Sequence, residues 1–178
     1  MTLKSSENRY GAVAVSIHWV TAALILALIG SGFRAGGPGE AAVKAEILRF
    51  HIPMAMAVLV LTIGRLVWWW RFDRKPAPVA GSIRWQERTA YAVHFLFYVV
   101  IFGMIASGVG MLALSGAAPI IFGGVGGSLP DFHKYPPHIP HGVGASLLIV
   151  LVIVHTGAAL YHHFIRRDGL IRRMWFAN

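Results

Sequence analysis

The sequence contains no cysteine. Disulfides, iron–sulfur clusters, thiolate-bound zinc and covalent attachment of a c-type haem are therefore excluded. Charge is scarce as well. Charged residues make up 13% of the chain, against about 25% in ordinary globular proteins. Acidic residues are the scarcer sign, 7 against 16 lysines and arginines. Apolar residues take their place, and 56% of the 178 positions are hydrophobic. That balance belongs to an integral membrane protein forming one domain over residues 1–178, not to a soluble protein with a large core. The net charge of +9 does not imply a nucleic-acid partner, because no basic helix with interleaved polar residues is present. The basic residues fall between apolar segments, where topology and contact with membrane lipid explain them. With sulfur absent, histidine is the strong nitrogen ligand that remains, and there are nine.

Four apolar segments are long enough to cross a bilayer, Gly11–Phe33, Phe50–Trp70, Ala90–Leu114 and His141–Ile165. The first is too long for the apolar region of a signal peptide and no A-x-A cleavage site follows it, so it is expected to be a retained helix. The second has Pro53 in its opening turns and a single charge, Arg65. Pro76 and Pro78 keep the connection from Arg71 to Arg88 from being a continuous helix. The loop from Ser115 to Ile139 is rich in glycine and proline, with GGVGG at 123–127, and its apolar stretch AAPIIF is too short to span. Pro140 suits the first turn of the fourth helix. The expected fold is all-α, a four-transmembrane-helix up-and-down bundle. Lysines and arginines concentrate in the N-terminus, the second connection and the C-terminal tail, which places both termini in the cytoplasm.

The histidines then acquire depths. His141 and His155 lie fourteen residues apart, a rise of about 21 Å over almost four turns, so both share one helix face. His18 falls at the cytoplasmic level with His155, and His51 at the outer level with His141. Two level pairs on different helices suit two porphyrin irons, each held by one histidine from each of two helices. Gly142, Gly144 and Gly157 flank His141 and His155 and leave room for a flat macrocycle. Arg65 lies fourteen residues after His51, at cytoplasmic depth. An arginine there is costly unless paired, and a haem propionate or a quinone oxygen would pair it. All seven acidic residues lie outside the spans, so no carboxylate is at hand.

Other readings stand beside this one. Intramembrane histidines can serve as helix–helix hydrogen bonds, or as ligands in a metal transporter. His162 and His94 suit either a quinone contact or the membrane interface, and Arg88 is a further candidate for the quinone. His163 is expected at the interface, and His133 and His138 in the solvated outer loop. Trp68, Trp69, Trp70 and Trp85 read as an interfacial aromatic belt.

Four motifs carry a resemblance to a known family: SIHW at Ser16–Trp19, RFH ending in His51, HFLFY from His94, and H-x13-H ending in GAALYHH. Together they resemble bacterial cytochrome b561 over almost the whole chain, and most of all its short di-haem form, the superoxide oxidases. A related four-helix core occurs in the cytochrome b subunits of nickel-iron hydrogenases and formate dehydrogenases. The resemblance implies two b haems ligated by His18 with His155 and by His51 with His141, and ubiquinone near the cytoplasmic haem. It implies a protein of the bacterial inner membrane. Superoxide is then the expected donor, arriving at the outer face near Lys134, His133, Arg49 and Lys44, whose charge would attract the anion. The alternative is a relay subunit that docks a partner dehydrogenase, although the short termini favour a stand-alone enzyme. In one respect the chain departs from the pattern: the loop over the outer haem is glycine-rich and nearly uncharged.

Overall fold

A computed structural model describes residues 2–79, 81–124 and 127–176, and among them every regular element is helical. The elements are α1 (Ala12–Gly36), α2 (Ala41–Val67), α3 (Arg84–Ser115), α4 (Ala118–Phe122) and α5 (His138–Tyr161). A π-helical turn extends α2 through Trp68–Phe72, and another extends α5 through His162–Arg166. Four helices, Ala12–Gly36, Ala41–Phe72, Arg84–Ser115 and His138–Arg166, are long and apolar enough to cross a membrane. In lipid no water can satisfy a backbone amide, so uninterrupted apolar runs become helices that satisfy it internally. Their outward faces carry exposed Leu26, Val60, Val99 and Ile153, as contact with lipid requires.

The helices exceed the spans expected from hydropathy. α2 starts at Ala41 rather than Phe50, and α3 at Arg84 rather than Ala90. Hydropathy ends where charge begins, but helix propensity does not: Ala41–Arg49 is rich in alanine, lysine, glutamate and arginine, all good helix formers. Glu46 and Arg49 pair there at 2.9 Å, one turn apart. Pro53 consequently sits well inside α2, not in its first turns. It has no N–H to offer the Arg49 carbonyl one turn back. Pro140 falls in the first turn of α5, where the missing N–H costs no ladder bond.

The chain divides into two compact units. One gathers the chain up to Ala22, Leu61–Tyr98 and the chain from Val150 onward; the other gathers Ala23–Val60 and Val99–Ile149.

Within the first unit, three connecting segments are tied together. Arg173 donates to the carbonyls of Asn8 (2.9 Å) and Ala77 (2.7 Å), and its own carbonyl accepts from the Tyr10 amide at 3.1 Å. The Ala77 amide donates to the Glu7 carbonyl at 3.1 Å. Asp73 accepts from the Ser5 amide, the Ser5 hydroxyl (2.8 Å), the Arg74 amide and the Trp68 indole. Partial burial alone would raise its carboxyl pKa, but these hydrogen bonds outweigh burial and hold it below the usual range.

Within the second unit, the Arg49 guanidinium donates to the Ile121 carbonyl at 2.8 Å, which pins α4 to α2. Ala117 and Ile121 are buried there. Of the glycine-rich run at 123–127, Val125 and Gly126 lie outside the described residues.

Candidate cofactor site

Three histidines from three helices meet in the first unit. His18 on α1 and His155 on α5 have ring centres 6.1 Å apart, and His94 on α3 meets His155 edge-on at 5.3 Å. Phe97, one turn after His94, packs against the same His155 ring at 5.6 Å. The Nδ1 of His94 lies 2.7 Å from the Ala90 carbonyl. A carbonyl only accepts, so Nδ1 carries the proton and Nε2 keeps its lone pair. Arg65, on α2, lies within electrostatic reach of His18, His94 and His155. Its Nε is buried, as is the Thr21 hydroxyl one turn beyond His18, and neither has a hydrogen-bond partner among the described residues. Buried polar atoms are rarely left so.

The second unit holds the other pair. His51 on α2 lies within electrostatic reach of His141 on α5, and each ring meets a serine from a different helix. Ser31 on α1 donates its hydroxyl to the Leu28 carbonyl (3.1 Å), and its oxygen lies 2.8 Å from His51 Nδ1. Ser107 on α3 donates to the Met104 carbonyl (2.9 Å), and its oxygen lies 3.0 Å from His141 Nδ1. The Met104 carbonyl itself is 3.2 Å from that Nδ1. Each hydroxyl has one hydrogen and has already given it away, so each serine accepts. Both histidines therefore hold their proton on Nδ1 and present a bare Nε2, the state that binds a metal.

A glycine follows each serine. A Cβ at Gly32 would lie 3.6 Å from His51 Cε1, and one at Gly108 would lie 3.4 Å from His141 Cε1. The glycines expected to leave room for a macrocycle have other surroundings. Gly142 and Gly157 face open space, but a Cβ at Gly144 would come within 2.6 Å of the Met104 sulfur. At Gly144 it is the flexible Met104 side chain from α3 that occupies the space a Cβ would take. Neither serine was singled out from sequence. The one available signal was the repeated Ser-Gly dipeptide toward the ends of two spans, and a serine in a helix ordinarily bonds back to its own preceding turn.

The remaining candidates are placed as follows. His162 opens the π-helical turn that follows α5. It pairs with Asp168, Nδ1 to Oδ2 at 2.5 Å. Burial would raise the Asp168 pKa, but the His162 hydrogen bond, the Leu170 amide and the nearby charges outweigh it, and the net shift is downward. Arg88 is exposed on α3, and His163 is exposed beside Phe164. His133 and His138 stack with ring centres 4.0 Å apart. Lys134 and His133 are exposed, whereas Arg49 is engaged by Glu46 and Ile121. Trp70 and Trp85 are exposed as a belt requires, but Trp68 bonds Asp73 and Trp69 packs edge-on against Tyr10. Among the described residues no group of three or more histidine, cysteine, aspartate or glutamate side chains is arranged to hold a metal ion.

The fold and these histidines define an all-helical membrane protein that gathers imidazoles from separate helices inside its spans. Residues 9–177 match the family model described as prokaryotic cytochrome b561, and the chain belongs to that family. Its members are membrane electron-transfer proteins, and membership implies b-type haem. The chain is similar to cytochrome b561 homolog 1 of Escherichia coli (strain K12), 25% identical, with 94% of this chain and 97% of the relative covered. It is similar to a probable superoxide oxidase, CybB, of Yersinia pestis at 22% identity, covering 94% and 96%. Cytochrome b562 of Cereibacter sphaeroides is 25% identical, with 96% and 97% covered.

Proposed function

We propose that this chain is a di-haem b cytochrome that passes electrons from superoxide, on the periplasmic side, to ubiquinone. In this reading His18 with His155, and His51 with His141, are the axial ligands, and both termini are cytoplasmic. The observation that carries it is the 6.1 Å between the ring centres of His18 and His155. Two metal–imidazole bonds of about 2 Å on opposite sides of one ion, plus the ring radii, give a separation of roughly 6 Å. The bare Nε2 atoms of His51 and His141 support the second pair in a different way. Arg65 and Thr21, buried with unpaired polar atoms, fit a group that brings its own acceptor oxygens, such as haem propionate or a quinone.

A b haem held by these histidines would supply one-electron transfer. The rest is the work of the chain. Exposed Lys134 and His133 give the anion an attractive outer surface. His162, its Nδ1 fixed by Asp168, leaves Nε2 for a quinone oxygen, with His94 and Arg88 as the other candidates for that site. Two superoxide anions each lose one electron and leave as dioxygen. One ubiquinone gains two electrons and two protons to become ubiquinol. The name of the Yersinia relative supports the choice of substrate.

The test is superoxide-driven quinone reduction by the purified protein, with haem spectra recorded alongside. Rapid loss of superoxide with quinol formation is the expected result. Two low-spin haems that do not respond to superoxide would replace this reading with that of a relay subunit for a dehydrogenase or hydrogenase. Protein without haem that binds zinc would sink both.

A further inference from the structure

The proposed reading makes His51 and His141 ligands but does not say what sets the properties of the group they hold. We propose that Ser31 and Ser107 are positioning residues that lower the redox potential of the haem held by His51 and His141, by accepting the Nδ1 proton of each histidine. The inference rests on that ligand assignment.

Two helices meet the two histidines in the same way. Ser31-Gly32 on α1 meets His51, and Ser107-Gly108 on α3 meets His141. In each pair the serine hydrogen is committed to a carbonyl of its own helix, three residues back. The oxygen is thereby turned into an obligate acceptor. The glycine beside it leaves the imidazole Cε1 only ordinary contact distance from where a Cβ would stand. The ring is held by one neighbour and lies against the next. An acceptor on Nδ1–H makes the imidazole a stronger donor through Nε2 and fixes the ring orientation. A stronger donor stabilises ferric over ferrous iron, which lowers the potential.

The two sites differ in a way that predicts an order. Ser31 is the acceptor placed on His51, whereas His141 divides its proton between Ser107 and the Met104 carbonyl. Ser31→Ala leaves a half-buried N–H without that acceptor, but Ser107→Ala leaves the Met104 carbonyl in place. The shift is therefore larger for Ser31→Ala.

The experiment is a spectroelectrochemical titration of the full chain in lipid nanodiscs, with haem content measured by pyridine haemochrome. For Ser31→Ala the expected result is a rise in one of two midpoint potentials, up to about a tenfold change in the oxidised-to-reduced ratio, which is about 59 mV for one electron. The other midpoint stays where it was. Ser107→Ala raises the same midpoint by less, and Ser31→Thr, which restores the hydroxyl, returns it toward the starting value. If Ser31→Ala does not retain haem, Ser107→Ala carries the test. Unmoved potentials, equal movement of both haems, or a threonine variant that behaves like alanine would overturn the inference while leaving the di-haem reading intact. An unaltered protein with only one haem, lost on replacing His18 or His155, would overturn that reading and this inference with it.

Discussion

A histidine nitrogen that carries a proton cannot ligate iron, so the tautomer of each imidazole decides what it can hold. Serine and carbonyl acceptors fix the proton on Nδ1 of His51 and His141. The level pairing of these residues yields a sharp expectation. Replacing His18 or His155 by alanine should remove the same spectral component, and replacing His51 or His141 should remove the other, in redox difference spectra of purified variants. A His51→Ala protein that kept both components would break the pairing. Outside the membrane, Asp73 gives a pH prediction. Its folded pKa lies below the unfolded value, so its stabilising effect is present above the unfolded pKa of about 3.9 and is lost as pH falls through the folded pKa. Asp73→Asn should cost about 1 kcal/mol at neutral pH and flatten the acid limb of a thermal-stability profile. The four ligand candidates and Arg65 were legible because a polar residue inside an apolar span stands out. Ser31 and Ser107 were not, since a helical serine reads as self-satisfied until its partner helix is placed.

Elements are decided by what meets their faces. Four helices followed from uninterrupted apolar length, but their ends did not, because α2 and α3 run on through charged residues that hydropathy treats as loop. The glycines of α5 show the same division. Gly142 faces open space, so Gly142→Ala should be tolerated and raise helix stability by up to about 1 kcal/mol, read from thermal unfolding. Gly144 lies against Met104, so Gly144→Leu should crowd α5 against α3 and lower stability by an amount typical of overpacking, about 1–3 kcal/mol, seen as a lower thermal midpoint. Pairing Gly144→Leu with Met104→Ala should recover part of the loss. A Gly144→Leu protein as stable as the parent would remove the close approach from the account.

At the scale of the molecule, the N-terminal segment, the proline-containing connection and the C-terminal tail are bonded to one another through Arg173, Ala77 and Asp73. That agrees with four crossings, which return both ends and the second connection to one side. The absence of cysteine makes the sidedness directly measurable. A single cysteine at exposed Arg84 should react with an impermeant maleimide only from the cytoplasmic side, and one at exposed Lys134 only from the periplasmic side. Labelling of both from one side would overturn the topology. Arg173→Ala should release the three segments together, seen as faster proteolysis around residues 76–83.

Composition and periodicity determined by themselves that the chain is helical and suited to a membrane, and they left histidine as the candidate ligand, because lipid and the lack of sulfur leave few alternatives. Depth, which is only sequence position multiplied by a fixed rise, also assigned the histidines to two levels. What sits beside each imidazole is a different kind of fact. Asp168 on His162, Ser31 on His51, Ser107 on His141 and His94 against His155 are contacts between residues of separate turns or separate helices. No period along one chain encodes them, and they arose only when the rotation and approach of each helix were set by packing.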